Sequence, residues 1–290
     1  MRVLITGARG LVGRALNEYC TLIGDTVLPY DHQSLDISNR KLVRQTLKKD
    51  NPDAVINCAA WTNVDSCEHD EKRAYASNTE GPENLALVCA EIKAAFVTIS
   101  TDYVFDGSKE GYYTQADEPN PESVYAASKL AGEQRATSAN SHTLVVRTGY
   151  VFGMGGNNFL SSIVERARRG EKLKAIGDSY GTPTYSKDLA VRLREIVGLN
   201  IPGVYHVVND GPGVTFEDFA RAAIELDGRP DVEIEAVSTD SLKRPAKRPR
   251  NSRLRCLHSE ALGLSPLRSW RDALADFVRE HGTTIEYEVT

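Results

Sequence analysis

No run of this 290-residue chain approaches the roughly 20 consecutive apolar residues that a membrane span needs, which argues against a membrane partner. Its five cysteines, Cys20, Cys58, Cys67, Cys89 and Cys256, are odd in number, widely scattered and never spaced C-x-x-C. They read as reduced thiols of a cytosol, with neither a disulfide framework nor a zinc site. Positive charge is not in excess either: 35 Lys and Arg against 40 Asp and Glu leave a net charge of -5 and a pI near 5.8. General attraction to nucleic acid or to an anionic surface is therefore not expected. There is no repeat and no low-complexity segment, and the opening Met-Arg-Val-Leu-Ile-Thr lacks the apolar stretch of a signal peptide, so a cytoplasmic location is expected. What is there, 41% apolar and 26% charged residues, is the composition of a soluble globular protein long enough for one large domain or two modest ones.

Residues 2 to 6 form an apolar run closed by Gly7, and Leu11 to Ile23 follow with helical periodicity, which predicts strand, glycine turn and helix. In the turn, Gly7-Ala-Arg-Gly10-Leu-Val-Gly13, the glycines let the backbone approach a pyrophosphate that the helix N-terminus attracts. A second strand, Thr26 to Tyr30, ends at Asp31, where a dinucleotide fold places an acid on the adenine ribose. Asp31 favours NADH, whereas Arg9 in the glycine turn suits the 2′-phosphate of NADPH, and the sequence leaves both cofactors open with a lean to NADPH. Asp36 and Ile37 are placed under the adenine, and Ser38 is a candidate N-cap for a helix over 39–49.

A third strand, Asp53 to Cys58, leads into Ala59-Ala-Trp-Thr-Asn-Val-Asp65 at its carboxyl end, where the small Ala59 and Ala60 admit a ribose. A long helical region over 70–93 carries Gly81-Pro82, which predicts a break or kink there. Ala95 to Ser100 is a fourth strand ending in Ser100-Thr-Asp-Tyr-Val-Phe-Asp-Gly107, so that Ser100 or Thr101 can orient a substrate carbonyl, and Thr143 to Arg147 is a fifth. Strands alternating with helices through the first half specify an α/β fold with a doubly wound parallel sheet. The composition changes after about residue 148, which sets the expected boundary between a cofactor domain, 1–148, and a mainly substrate-binding domain, 149–290. A segment near 186–208 is expected to return to the first. Thr215 and Asp218 stand at capping-box spacing before a helix.

In Ser123-Val-Tyr-Ala-Ala-Ser-Lys-Leu-Ala-Gly-Glu133 the helix formers put Tyr125 and Lys129 on one face. An ammonium beside a phenol stabilises phenolate, so the Tyr125 pKa is expected to fall toward neutrality, and such a tyrosine hands its proton to a carbonyl oxygen as hydride arrives at the carbon. The competing reading is a solvated Tyr/Lys pair on an exposed helix. Farther on, Lys243, Arg244, Lys247, Arg248, Arg250, Arg253 and Arg255 interleave with Pro245 and Pro249. A basic cluster in an otherwise acidic chain, without the aromatics of a nucleic-acid platform, suits a nucleotide diphosphate.

Gly7-x-x-Gly10-x-x-Gly13, Ser-Thr-Asp-Tyr-Val-Phe-Asp-Gly107, Tyr125-x-x-x-Lys129, Arg147-Thr148 and Arg248-Pro-Arg-Asn-Ser-Arg-Leu254 in this order resemble the extended short-chain dehydrogenase/reductases. Within them the chain is similar to the dTDP-4-dehydrorhamnose reductase group. The resemblance implies a Rossmann-like fold and reduction of the C4 ketone of a dTDP-sugar by hydride from NAD(P)H. It implies Tyr125 as proton donor, Lys129 on the nicotinamide ribose and Thr101 on the C4 oxygen. Gly10, Leu11 and Val12 would meet the pyrophosphate, and Ala60, Trp61 and Thr62 the nicotinamide side. Asp102, Tyr150, Arg248 and Arg253 would face the substrate.

The family usually reads Arg-Thr-Ser-Trp after the fifth strand, whereas this chain reads Arg147-Thr-Gly-Tyr150, which leaves the sugar and its C4 configuration open. Some relatives bind Mg²⁺, though no carboxylate cluster here demands it, and a homodimer is compatible with the sequence. Nucleotide-sugar 4,6-dehydratases place a glutamate base where Tyr103 stands, which favours reduction over dehydration. A cofactor-binding regulatory subunit, like the beta subunit of methionine adenosyltransferase, is the alternative from outside the enzymes.

Overall fold

The computed structural model of the chain describes residues 1–288. Six strands form one sheet: β1 (Arg2–Thr6), β2 (Thr26–Tyr30), β3 (Ala54–Asn57), β4 (Ala95–Thr101), β5 (Thr143–Thr148) and β6 (Gly203–His206). Their order is β6-β5-β4-β3-β1-β2 and every pairing is parallel. Because side chains alternate across a strand, adjacent residues serve opposite faces. Ile5 and Ile56 pack with Leu16 of the helix Leu11–Leu22 and Leu193 of the helix Ser186–Leu199. Leu4 and Val55 pack on the other side with Leu47 of the helix Arg40–Asp50 and Leu85 of the helix Gly81–Ile92. Coverage on both faces explains why β3 and β5 are buried along their whole length.

The winding reverses between β1 and β3, and in such sheets a crevice opens at the carboxyl ends of the two strands. A buried polar ladder fixes that edge. The Thr6 hydroxyl donates to Asn57 Oδ1 at 2.6 Å, and Asn57 Nδ2 donates to the Thr98 hydroxyl at 3.0 Å, three residues in register on β1, β3 and β4.

Beyond β5 lies a second hydrophobic core, with Phe152, Ile163, Phe219, Trp270 and Phe277 at its centre. It is built by the helices Phe159–Arg168, Phe216–Leu226 and Trp270–Glu288 and by the parallel pair of Leu173–Ile176 with Ile234–Val237. The helix Ser186–Leu199 and β6 leave this core and pack on the six-stranded sheet. Thr215 and Asp218 form the capping box that their spacing predicts. The Trp270–Glu288 helix and the Ile234–Val237 strand have no counterpart in the sequence reading. Among the described residues no helix is long and apolar enough to cross a membrane.

One local expectation is corrected and one is made specific. Asn39, not Ser38, caps the helix Arg40–Asp50: its side chain accepts from the Leu42 N–H, while the Ser38 hydroxyl donates to Asp36 Oδ1 at 2.7 Å. The helical region over 70–93 is interrupted next to Gly81-Pro82, as expected, and consists of Glu71–Tyr75, a wide π turn over Ala76–Glu80, and Gly81–Ile92. The interruption precedes Gly81-Pro82. Pro82 has no N–H and its ring crowds the carbonyl of Asn78, four residues back, and widening the turn relieves that crowding.

Candidate active site

The crevice at the carboxyl ends of β1, β3 and β4 holds a cavity of about 480 Å³, a volume in the range of small-molecule sites. One wall is the glycine turn. Gly7 has φ +64°, and a Cβ on it would lie 2.7 Å from the Ala59 nitrogen, so only glycine lets the turn after β1 touch the loop after β3. A Cβ on Gly13 would sit 2.2 Å from the Gly7 carbonyl oxygen, which brings the Leu11–Leu22 helix against the turn. That helix has no side-chain cap and no acid in its first turn, leaving its leading N–H groups for an anion.

Tyr125, Lys129, Thr101, Asp102 and Ser100 line the same cavity as Gly10, Leu11 and Val12. Tyr125 and Lys129 belong to the helix Val124–Ala139, whose start is fixed by the Ser123 side chain, which accepts from the Ala126 N–H, and by Glu68, which accepts from the Val124 N–H at 2.8 Å. Lys129 is buried, and its Nζ donates to the Ile99 carbonyl at 2.6 Å. Burial lowers its pKa to about 8, with Glu133 opposing the shift, so it is an ammonium at neutral pH.

The expected lowering of the Tyr125 pKa by Lys129 is not observed. Burial pushes the phenol up, Asp102, Tyr103 and Cys67 push the same way, and the nearby Thr101 hydroxyl opposes them. The lysine is anchored on a backbone carbonyl, and desolvation governs the phenol. Tyr125 therefore stays protonated through neutral pH, the form a proton donor requires.

Asp102 is 3% exposed, and burial raises its pKa to about 7. The Thr101 hydroxyl lies 3.1 Å from its Oδ1, whereas Oδ2 has no hydrogen-bond partner, although the Ser252 hydroxyl stands near enough to hold the rise back. Tyr103 packs edge-on to Tyr125, and its own pKa is raised to about 12 by burial, so it cannot replace a carboxylate base. Tyr150 occupies a left-handed backbone position, φ +44°, with its ring stacked on Phe216 at 4.3 Å and its hydroxyl donating to the Ser179 carbonyl at 3.3 Å. Gly181 makes room for that ring, since a Cβ there would lie 2.2 Å from it.

The crevice also takes in Gly13, Ala59, Ala60, Thr62 and Tyr150, but not every expected residue. Arg9 and Asp31 pair with each other at 2.8 Å, Asp36 is bonded to Ser38, and Ile37 is buried against Gly81; none of these four lines the cavity. Trp61 lies behind the crevice under the Arg73 guanidinium, 4.5 Å from its ring. Arg248 makes a bidentate pair with Asp65 and lines, with Arg244, an adjoining slot of about 260 Å³ that shares Tyr103, Phe159 and Phe216 with the crevice. Arg253 does not reach this slot: its Nε donates to Asn251 Oδ1, and its guanidinium lies between the rings of Tyr112 and Tyr180. Among the described residues no cluster of three or more His, Cys, Asp or Glu could hold a metal ion.

Several supporting residues were not anticipated. Asn78 Oδ1 accepts from the Trp61 N–H at 2.8 Å, and its Nδ2 donates to the Trp61 carbonyl at 3.1 Å and to the Ser128 hydroxyl, also at 3.1 Å, tying the loop after β3 to the helix of Tyr125. Glu133 and Arg147 form a buried ion pair at 2.7 Å between that helix and β5. Gly149 carries no side chain because a Cβ would lie 2.4 Å from the Asp102 carboxyl. The sequence signals for these were the Glu133 one turn beyond Lys129 and the Gly149 that follows Arg147-Thr148.

Residues 1–282 match the family model described as the RmlD substrate binding domain. The chain is 40% identical over 280 residues to a dTDP-4-dehydrorhamnose reductase of Mycolicibacterium smegmatis, covering 96% of this chain and 85% of that protein. Among solved structures it is similar to a dTDP-4-dehydrorhamnose reductase of Clostridium acetobutylicum, with a TM-score of 0.93 and 36% identity over 97% of this chain and 100% of the other. It is similar also to the Bacillus anthracis reductase in complex with NADP, with a TM-score of 0.92 and 33% identity, covering 96% and 99% of the two chains.

Proposed function

We propose, from the premise that this chain belongs to the RmlD substrate binding domain family, that it is an oxidoreductase reducing the C4 ketone of dTDP-4-dehydro-L-rhamnose to dTDP-L-rhamnose. The observation that carries the reading is that Tyr125, Lys129 and Thr101 line one crevice together with Gly10 and Gly13 of the glycine turn. The residues fit a dinucleotide: the turn is closed to any Cβ, the helix behind it has free N–H groups, and the buried Ser100 hydroxyl has no partner. NADPH or NADH, bound there, supplies the hydride. Gly10, Leu11 and Val12 would hold its pyrophosphate, and Lys129 its nicotinamide ribose. NADPH is the favoured form, since Arg9 is the more exposed member of its pair with Asp31 and so the freer to turn to a 2′-phosphate.

Thr101 orients the ketone oxygen, and Tyr125 donates its proton to that oxygen as negative charge develops on it. Lys129, an ammonium at neutral pH held on the Ile99 carbonyl, serves the ribose and does not set the acidity of the phenol. Arg244 and Arg248, in the slot next to Tyr103, would take the diphosphate of the dTDP carrier.

The test is the loss of reduced-nicotinamide absorbance on adding dTDP-4-dehydro-L-rhamnose, with the product sugar identified. Cofactor binding without absorbance loss for any dTDP-4-keto sugar would favour the regulatory-subunit reading. Turnover to a different sugar would support the alternative that Gly149 and Tyr150 suggest, a reductase of another dTDP-4-keto-6-deoxy sugar.

A further inference from the structure

We propose that Asp65 is a positioning residue for the substrate: its carboxylate grips one fork of the Arg248 guanidinium and so presets the other fork for the diphosphate of the nucleotide carrier. The inference rests on the reading of Arg248 as a diphosphate ligand given above. It deepens that reading by assigning a role to a residue that lines neither the crevice nor the slot.

Asp65 stands in the first turn of the helix Val64–His69, whose start is fixed by the Asn63 side chain accepting from the Ser66 N–H at 2.9 Å. From there it meets a partner 183 residues away in sequence. Arg248 Nη1 donates to Asp65 Oδ1 at 2.8 Å, and Nη2 donates to Oδ2 at 2.7 Å. The Ala246 N–H donates to the same Oδ1 at 3.2 Å, while Nη1 donates to the Ala246 carbonyl at 2.8 Å. One carboxylate therefore fixes both the guanidinium and the backbone two residues before it.

A guanidinium carries five N–H groups in a rigid plane. Asp65 and the Ala246 carbonyl take three of them. The Nε–H and the second Nη2–H, neighbours in that plane, make no hydrogen bond among the described residues. Two parallel donors of this kind match two phosphate oxygens. The Arg248 side chain is only 14% exposed, so the open fork is already largely withdrawn from water. Ordering a long side chain opposes binding, and Asp65 does that ordering beforehand. Arg244, which lines the same slot, has no ion pair or hydrogen bond among the described residues to preset it.

A plain staple between two segments is the competing role, and the same stretch of chain supplies the comparison. Lys247, next to Arg248, pairs with Glu122, and neither of these lines the slot. If stapling were all that mattered, both ion pairs would count alike. Charge also separates the readings. Removing the Asp65 carboxylate makes the slot more positive, which by itself would tighten diphosphate binding. Loss of positioning would weaken it.

The test is calorimetric binding of dTDP and of NADPH to wild type, Asp65→Asn, Arg248→Ala, the double variant and Glu122→Gln. Asp65→Asn is expected to weaken dTDP by about tenfold, the worth of one charge-assisted hydrogen bond, with NADPH binding unchanged. It should raise KM for the dTDP-4-keto sugar and leave kcat nearly alone. In the Arg248→Ala background it should add nothing, because its effect runs through that side chain. Glu122→Gln should move neither ligand. Unchanged or tighter dTDP binding in Asp65→Asn, a full further loss in the double variant, or parallel loss of NADPH binding would overturn the positioning role. Wild type that binds NADPH but not dTDP, or Arg248→Ala that binds dTDP as wild type does, would instead remove the diphosphate reading on which the role rests.

Discussion

The Arg9 guanidinium lies 2.8 Å from the Asp31 carboxylate, so the two residues that argue for opposite cofactors satisfy one another. A 2′-phosphate must draw Arg9 away from Asp31, and a free ribose must draw Asp31 away from Arg9. Replacing Asp31 with Asn should release the arginine and raise the preference for NADPH over NADH by about tenfold, the worth of one charge-assisted hydrogen bond. Arg9→Ala should move the preference the other way. Comparing kcat/KM for the two cofactors checks both, and an unmoved ratio in both variants would place the discrimination elsewhere.

Tyr125→Phe should lower turnover by about 10² to 10⁴-fold, the usual worth of a general acid, with NADPH binding nearly unchanged. Cofactor titration followed by protein fluorescence, beside steady-state rates, separates the two effects. Near-normal turnover would exclude Tyr125 as proton donor.

The raised pKa of Asp102 ties stability to pH with a definite sign. Between about 4 and 7 the folded chain holds a proton that the unfolded chain has released, so this carboxyl makes stability fall as pH rises through that window. Asp102→Asn lacks the loss and should be more stable than wild type at pH 8, with the gain shrinking toward pH 4. Tm measured at both values checks it.

The Glu133–Arg147 pair is buried at both ends, and Arg147 also lies 5.3 Å over the Phe105 ring. Arg147→Met would leave Glu133 uncompensated and should cost about 3 to 5 kcal/mol. The double variant with Glu133→Gln should recover part of that loss. Denaturant unfolding of the two variants checks it, and equal losses would mean that the charge left on Glu133 is not what costs.

The sheet was legible because its signals are local: apolar runs of strand length, each followed by a glycine turn or an amphipathic helix. The Tyr125 helix and the Thr215–Asp218 capping box were legible for the same reason. The pKa of Tyr125 was not, because it depends on how deeply the phenol is buried and on where the Lys129 ammonium finds an acceptor, and both are set by residues far away in the chain. The pairing of Arg9 with Asp31 and of Arg248 with Asp65, and the space that Gly149 leaves for Asp102, likewise join segments whose distance in sequence hides their contact. The Trp270–Glu288 helix was missed although its own sequence is helical, because no motif directed attention to it.

The π turn over Ala76–Glu80 gives the segment between β3 and Pro82 one residue more than a regular helix would accommodate. Removing that residue would rotate everything before it by about 100°, one residue's share of a helical turn. Asn78 would then swing off Trp61 and Ser128, which it now holds together. The segment is thus a ratchet with a single working setting, where a one-residue deletion should be far more disruptive than any point substitution on its outer face.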